Sequence, residues 1–295
     1  MIVIYGLAFV GGAWLLVNMV VAFFAPRQSI RRKLMIATWR SPSEASVYAT
    51  SDFDATKTIK FIDDYEKKTG VKLTMTHITL KGAALAIEKV PSVNGRLILD
   101  YFFPHNTVDM SCLVAVDGGK NLSNVKIENC NKKSLADIAT ELRPAAKRMR
   151  EGKDDDFKKL NQTLAMIPSF LLPPITYFTG FLAGSLGLNL PALGVRPFPF
   201  GSCLVTSVGS LGLGVACVPF TPFARVPILC CIGKVTERPI VENGEIVIKP
   251  YLPVSSTLDH RFADGTQAGK LYNIMRAYIE DPGSFEEAST HAKDQ

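Results

Sequence analysis

Charge is missing from two long stretches of this chain. No charged side chain stands between Ile2 and Ala25, and none again between Lys159 and Arg196. Metal-ligand spacing is missing as well. The six cysteines, Cys112, Cys130, Cys203, Cys217, Cys230 and Cys231, form no CxxC, and no histidine lies at ligand spacing from any of them, which argues against a metal site. The net charge of +6 is spread along 295 residues without a basic stripe interleaved with aromatics, so nucleic acid is not an expected partner. Cys230 and Cys231 are adjacent in an apolar strand-like segment, where neighbouring side chains point to opposite faces. They read as two small buried thiols in a reduced compartment.

What is present begins with the first uncharged stretch. Residues 2–25 are about as long as the twenty or so apolar residues that span a hydrocarbon core, and Arg27, Arg31, Arg32 and Lys33 follow at once. This pattern predicts a single-pass N-terminal membrane anchor over residues 1–26, with the rest of the chain on the cytoplasmic (or organelle-interior equivalent) side. The second stretch is broken by Pro168, Pro173, Pro174 and Pro191. It predicts two short apolar helices or a re-entrant hairpin at the membrane interface, in contact with lipid.

Between and beyond these stretches the chain reads as mixed α/β. SVYATSDFD (Ser46 to Asp54) alternates as a strand, Asp54 is placed to cap a helix running to about Lys68, and Gly70 stops it. A helix is predicted over Thr76 to Val90, before Pro91, and another after Ser134. RLILDYFF, TVDMSCLVAV, SCLVTSVG and PILCCIGKV are short strand candidates. EIVIKP pairs with KVTERPIV across the turn Glu242-Asn243-Gly244-Glu245. Asp264 opens a closing helix that ends before Pro282, followed by a polar tail over 286–295.

The chemistry-bearing string is Asp259-His260-Arg261-Phe262-Ala263-Asp264-Gly265, a DHRxxDG motif between a strand-like run and a helix. An imidazole there can take a thiol proton, and a carboxylate four residues on can fix its surroundings. His77, His105 and His291 have no comparable partner motif.

The order of these segments resembles a known family. GSCLVTSVGSLG, PFARVPILCCIGKVTERPIVENGEIVIKP and SSTLDHRFADGTQAGKLYNIMRAYIEDP are similar to the catalytic domain of dihydrolipoamide acyltransferases of 2-oxoacid dehydrogenase complexes. TGVKLTMTHITLKGAALAIEKVPSVNG and KKSLADIATELRPAAKRMREGK resemble earlier parts of that domain. The resemblance covers about 31–157 and 201–285. It implies a chloramphenicol acetyltransferase-like fold, a two-layer arrangement of a mixed sheet flanked by helices, assembled as a homotrimer with sites between subunits. It further implies coenzyme A as acyl-CoA substrate, no metal, and His260 as general base. Thr206 would be the oxyanion donor with Ser207 beside it, and Asp264 a positioning carboxylate paired with an upstream arginine. Arg31, Arg32 and Arg40 are the candidates, and the spacing does not choose among them.

The chain departs from that family in three ways. The expectation is that no lipoyl or peripheral-subunit-binding domain precedes the core, that an anchor stands in their place, and that the apolar insertion 157–200 interrupts the domain. The expected organisation is an anchor (1–26), a basic linker or N-terminal arm (27–45), an acyltransferase-like domain (46–285) and the tail. The expected function is a membrane-anchored acyltransferase moving an acyl group between coenzyme A and a thiol or other acceptor. The alternative is a catalytically idle acyltransferase-like trimer serving as a structural subunit of a larger membrane complex.

Overall fold

The computed structural model describes residues 2–26, 45–116, 121–153, 172–221 and 223–291. Its centre is a seven-stranded mixed sheet. The strands are β1 (Ser46–Asp54), β4 (Met110–Val116), β5 (Asn121–Ile127), β6 (Cys203–Ser207), β7 (Ile228–Ile232), β8 (Thr236–Glu242) and β9 (Glu245–Asp259). The order is β1-β9-β7-β6-β4-β5, with β8 hairpinned onto the first half of β9. β4, β6 and β7 run parallel to one another, and β9 runs antiparallel to β7 and β1. A separate hairpin pairs β2 (Gly95–Ile98) with β3 (Tyr101–Pro104).

β7, with the sequence ILCCI, is buried at all five positions, as expected of a central strand covered on both faces. Ile228, Cys230 and Ile232 enter the main core, while Leu229 joins a smaller cluster with Leu204, Ala224 and Val226 on the opposite face. The two adjacent cysteines are buried as expected. The main core is closed by α3 (Met75–Lys89), α4 (Leu135–Arg150) and α6 (Gly265–Glu280). α3 carries Gly82, Ala83, Ala84 and Ala86, and its small residues allow close approach. A Cβ added at Gly82 would stand 3.1 Å from Tyr278 of α6.

Local signals explain most boundaries. β1 has the bounds its alternation predicts. α2 (Thr56–Thr69) begins two residues after Asp54, whose Oδ1 accepts from the Thr56 amide (2.9 Å), and it ends at Gly70 with φ 70°. Asn243 and Gly244 turn the β8–β9 hairpin at φ 53° and 86°. RLILDYFF is not one strand but the β2–β3 hairpin, folded at Leu99 and Asp100 with φ 47° and 66°. The first part of the expected polar tail, 286–291, forms the second half of α7 (Pro282–His291), and 292–295 lie outside the described residues.

The membrane expectations are corrected. α1 (Ile2–Phe24) is an apolar helix. Among the described residues no helix is long and apolar enough to cross a membrane. The transmembrane helix, the single-pass anchor and the cytoplasmic placement drawn from it are therefore withdrawn, and so is membrane contact by the insertion. The described part of the insertion packs on the domain itself. α5 (Leu172–Thr179) continues into a wider turn, Gly180–Ser185, whose Gly180 lies so close to the backbone of Phe223 that a Cβ would come within 2.6 Å.

Candidate active site

His260 occupies a turn that the chain holds at both neighbours. Asp259, the last residue of β9, donates its amide to the Pro227 carbonyl (2.9 Å), and its own carbonyl accepts the amides of Phe262 (2.9 Å) and Ala263 (3.2 Å). The His260 amide donates to the Ala45 carbonyl (2.8 Å). Asp259 is 2% exposed, and its carboxylate is matched by Arg261. Nε donates to Oδ1 (3.0 Å), Nη2 to Oδ2 (2.6 Å), and the Arg261 amide to Oδ1 (2.9 Å). A bidentate guanidinium supplies the geometry a buried carboxylate requires.

Asp264 caps α6. Its Oδ1 accepts from the amides of Thr266 (2.7 Å) and Gln267 (3.4 Å), and Gln267 Oε1 accepts from the Asp264 amide (3.0 Å), a complete capping box. The carboxylate expected to position the motif thus anchors the helix that follows His260. Arg31, Arg32 and Arg40, the candidate partners of Asp264, lie outside the described residues. Phe262 is buried and meets Phe102 of β3 with ring centroids 6.0 Å apart.

Thr206 is half-buried on β6, and Ser207 at the strand's end is exposed. Beyond them the chain crosses the end of β7 at glycine-only distances. A Cβ on Gly209 would stand 2.7 Å from the Gly233 carbonyl oxygen, and one on Gly233 would stand 1.6 Å from that of Gly214. Two backbone bonds close this crossing, Val208 N to Ile232 O (2.9 Å) and Lys234 N to Leu213 O (2.8 Å).

The sheet does not bring Thr206 to His260 within one chain. Thr206 is paired with Cys231, and Cys231 with Ser255, five residues before His260. Five residues of strand and two strand spacings separate them by about 20 Å. They mark opposite ends of the sheet. His260 and Asp264, by contrast, share one turn.

Burial, reinforced by Arg143, lowers His77 to about 4. Burial and Arg96 likewise lower His105 to about 4. Burial pushes the Cys112 and Cys130 thiols up to about 12 and Cys231 to about 11, far from the range of a nucleophilic thiolate. Among the described residues no cluster of three His, Cys, Asp or Glu side chains is placed to hold a metal ion. Sequence reasoning singled out His260, Asp264, Thr206 and Ser207. It missed the Asp259–Arg261 pair, whose only signal was two opposite charges flanking the histidine.

Comparison with known proteins identifies the family and the fold. A family model described as 2-oxoacid dehydrogenases acyltransferase (catalytic domain) matches residues 24–167 and 196–286. A curated relative, the dihydrolipoyllysine-residue acetyltransferase component of the acetoin cleaving system of Bacillus subtilis, is 28% identical over 223 residues, 75% of this chain and 44% of that protein. The chain spans less than half the length of the first curated relatives it matches. Among solved structures, the cubic core of the pyruvate dehydrogenase multienzyme complex superposes with a TM-score of 0.61 at 19% identity, covering 89% of this chain and 95% of that one. Chloramphenicol acetyltransferase superposes with a TM-score of 0.51 at 15% identity, covering 85% and 96%. The last two show the fold.

Proposed function

Because the chain belongs to the 2-oxoacid dehydrogenases acyltransferase (catalytic domain) family, we propose that it transfers an acyl group between coenzyme A and a thiol acceptor in a homotrimer. His260 is the general base, Thr206 the oxyanion donor with Ser207 beside it, and Asp264 the positioning cap. The observation that carries this reading is the DHRxxDG turn, in which the backbone of His260 is fixed by Ala45 and its neighbours by Pro227, Arg261 and Gln267.

The chemistry follows from the residue types. A neutral imidazole takes the proton of the attacking thiol, and the thiolate adds to the thioester carbonyl. The carbonyl oxygen gains the charge, and a hydroxyl donor aimed at it lowers the barrier. The tetrahedral centre then expels the other thiolate, which recovers the proton from the imidazolium. Thr206 supplies the O–H and adds a methyl group that narrows its rotamers.

The separation of about 20 Å between Thr206 and His260 in one chain supports a site shared by neighbouring subunits, each giving one residue. Among the described residues, the cavity bounded by β1, β7, β9, α3 and α6 is apolar and holds about 50 Å³, too little for a pantetheine arm. Coenzyme A and the acceptor would reach His260 from outside the sheet.

The test is acyl exchange between acetyl-CoA and a dithiol such as dihydrolipoamide. His260→Ala is expected to lower kcat by about 10²–10⁴, and Thr206→Val, which keeps shape and removes the donor, by about 10²–10³. No turnover by the unaltered chain would leave the idle structural trimer as the better reading, and equal turnover of both variants and the unaltered chain would remove these two residues from the reaction.

A further inference from the structure

Two arginines meet at Ser185 with no acid between them. Arg96 on β2 donates from Nε to the Ser185 carbonyl (2.8 Å), and Arg225 donates from Nη1 to the Ser185 hydroxyl (3.5 Å). Ser185 is itself 1% exposed. Both guanidinium groups lie against rings. The Arg96 carbon is 4.6 Å from the Phe198 centroid, and that of Arg225 is 5.0 Å from Tyr177 and 5.6 Å from Phe181. Such contacts orient a cation without neutralising it.

Among the described residues neither guanidinium pairs with a carboxylate. Arg225 Nε is buried without a hydrogen-bond partner, and the residue holds a φ of 54°. An unsatisfied buried donor on a strained, non-glycine backbone is uncommon and is found where a site is being shaped. Burial lowers the pKa of Arg96 from its ordinary value, the direction expected of a cation with no counter-ion beside it.

Arg96 opens onto a cavity of about 320 Å³, completed by His105, Asn106, Thr107, Phe198 and Ser202. Asp109 also lines it, but its carboxylate is engaged by Lys126 Nζ (3.4 Å) and the Asn129 amide (3.0 Å). Lys126 is shared between Asp109 and Glu128 (3.2 Å), which leaves Arg96 as the cation on the cavity wall. His105, neutral at physiological pH, contributes hydrogen-bonding capacity and no charge. Arg225 stands behind Ser185 rather than on the wall, where its charge raises the potential from the rear.

The cavity lies on the same end of the sheet as His260. The Ser202 amide bonds the Asp109 carbonyl (2.7 Å) at the starts of β6 and β4, and the Asp259 amide bonds Pro227 at the start of β7. These residues form one row across the sheet. Tyr177, Phe181 and Ser185 fall in 168–195, between the two blocks matched by the family model, so the contacts that hold the two guanidinium groups from behind come in part from the insertion.

We propose that this cavity is a binding site for a carboxylate or phosphate group, with Arg96 as its ion-pairing ligand and Arg225 adding positive potential. That the group belongs to the acyl donor rests on the function proposed above. Two parts of a donor carry this chemistry, the far carboxylate of a dicarboxylic acyl chain and a phosphate of the coenzyme.

The experiment measures thermal stability of the full chain in phosphate, succinate and chloride at matched ionic strength. It then measures affinities for coenzyme A, acetyl-CoA and succinyl-CoA by calorimetry, before and after Arg96→Met and Arg225→Met. Phosphate and succinate are expected to raise Tm above the chloride value, and Arg96→Met to abolish the rise. Arg225→Met should weaken binding less than Arg96→Met. A loss of at least about tenfold confined to succinyl-CoA identifies the acyl carboxylate, and an equal loss for all three thiols and thioesters identifies a coenzyme phosphate. Arg96-dependent binding of the free anions with no binding of any coenzyme A compound upholds the site and removes the acyltransferase reading. The proposal is overturned if the unaltered chain shows no anion-specific rise in Tm, a result that does not depend on any variant folding. Affinities unchanged within twofold in Arg96→Met would overturn it equally.

Discussion

His77 makes the chain sensitive to acid in a way that one substitution can isolate. The residue is 3% exposed at the third position of α3, where its Nδ1 accepts the Thr74 amide (3.0 Å) and its own amide donates to the Thr74 carbonyl (3.0 Å). Nδ1 can accept only while it carries no proton, so the imidazolium loses the cap and is buried without compensation. Burial first, and Arg143 second, lower the group from 6.5 to about 4. The unfolded chain therefore binds a proton that the folded chain refuses between these values. Stability is full above about pH 6.5 and is lost as pH falls toward 4. At pH 5 the loss from this one residue comes to about 2 kcal/mol. His77→Gln keeps an acceptor at the capping position and removes the titration. Equilibrium urea unfolding at pH 7 and pH 5 should show the variant losing about 2 kcal/mol less than the parent on acidification. His105 titrates in the same direction in both proteins and cancels in the difference. A pH dependence identical in the two, within about 0.5 kcal/mol, would refute the reasoning.

Two further outcomes are expected. Gly233→Ala places a Cβ 1.6 Å from the Gly214 carbonyl oxygen and must displace the crossing that follows Thr206; kcat for acyl exchange should fall while the backbone amide NMR signal of His260, at the far end of the sheet, stays in place. Asp264→Ala removes the side-chain cap of α6 and should lower unfolding free energy by about 1 kcal/mol, read by denaturant midpoint.

Much of the fold was legible because the relevant signals are local. The alternation of SVYATSDFD, the glycine at 70, the Asn243-Gly244 turn and the Asp264 cap each act over a few residues, and each stands where the sequence puts it. The β2–β3 hairpin was not legible. Leu99 and Asp100 adopt left-handed backbone conformations that such residues seldom take, so nothing marked a turn inside RLILDYFF. The uncharged N-terminal run was read for its composition alone, and no described helix meets the length and apolarity of a span. At the site, the motif exposed His260 and Asp264 because they share a turn. The distance between His260 and Thr206 depends on strand order and register, which no local pattern encodes. Arg96 and Arg225, 129 positions apart, meet only because the insertion folds Ser185 between them.

The claim that His260 and Thr206 work across a subunit boundary is tested most directly by mixing two inactive proteins. His260→Ala and Thr206→Val are each expected to be nearly inert, and co-refolding them in equal amounts places an intact His260 beside an intact Thr206 at about one interface in four when subunits mix at random. The account predicts recovery of about a quarter of the parental acyl-exchange rate. No recovery, in mixed oligomers whose composition is verified by native mass spectrometry, would contradict it.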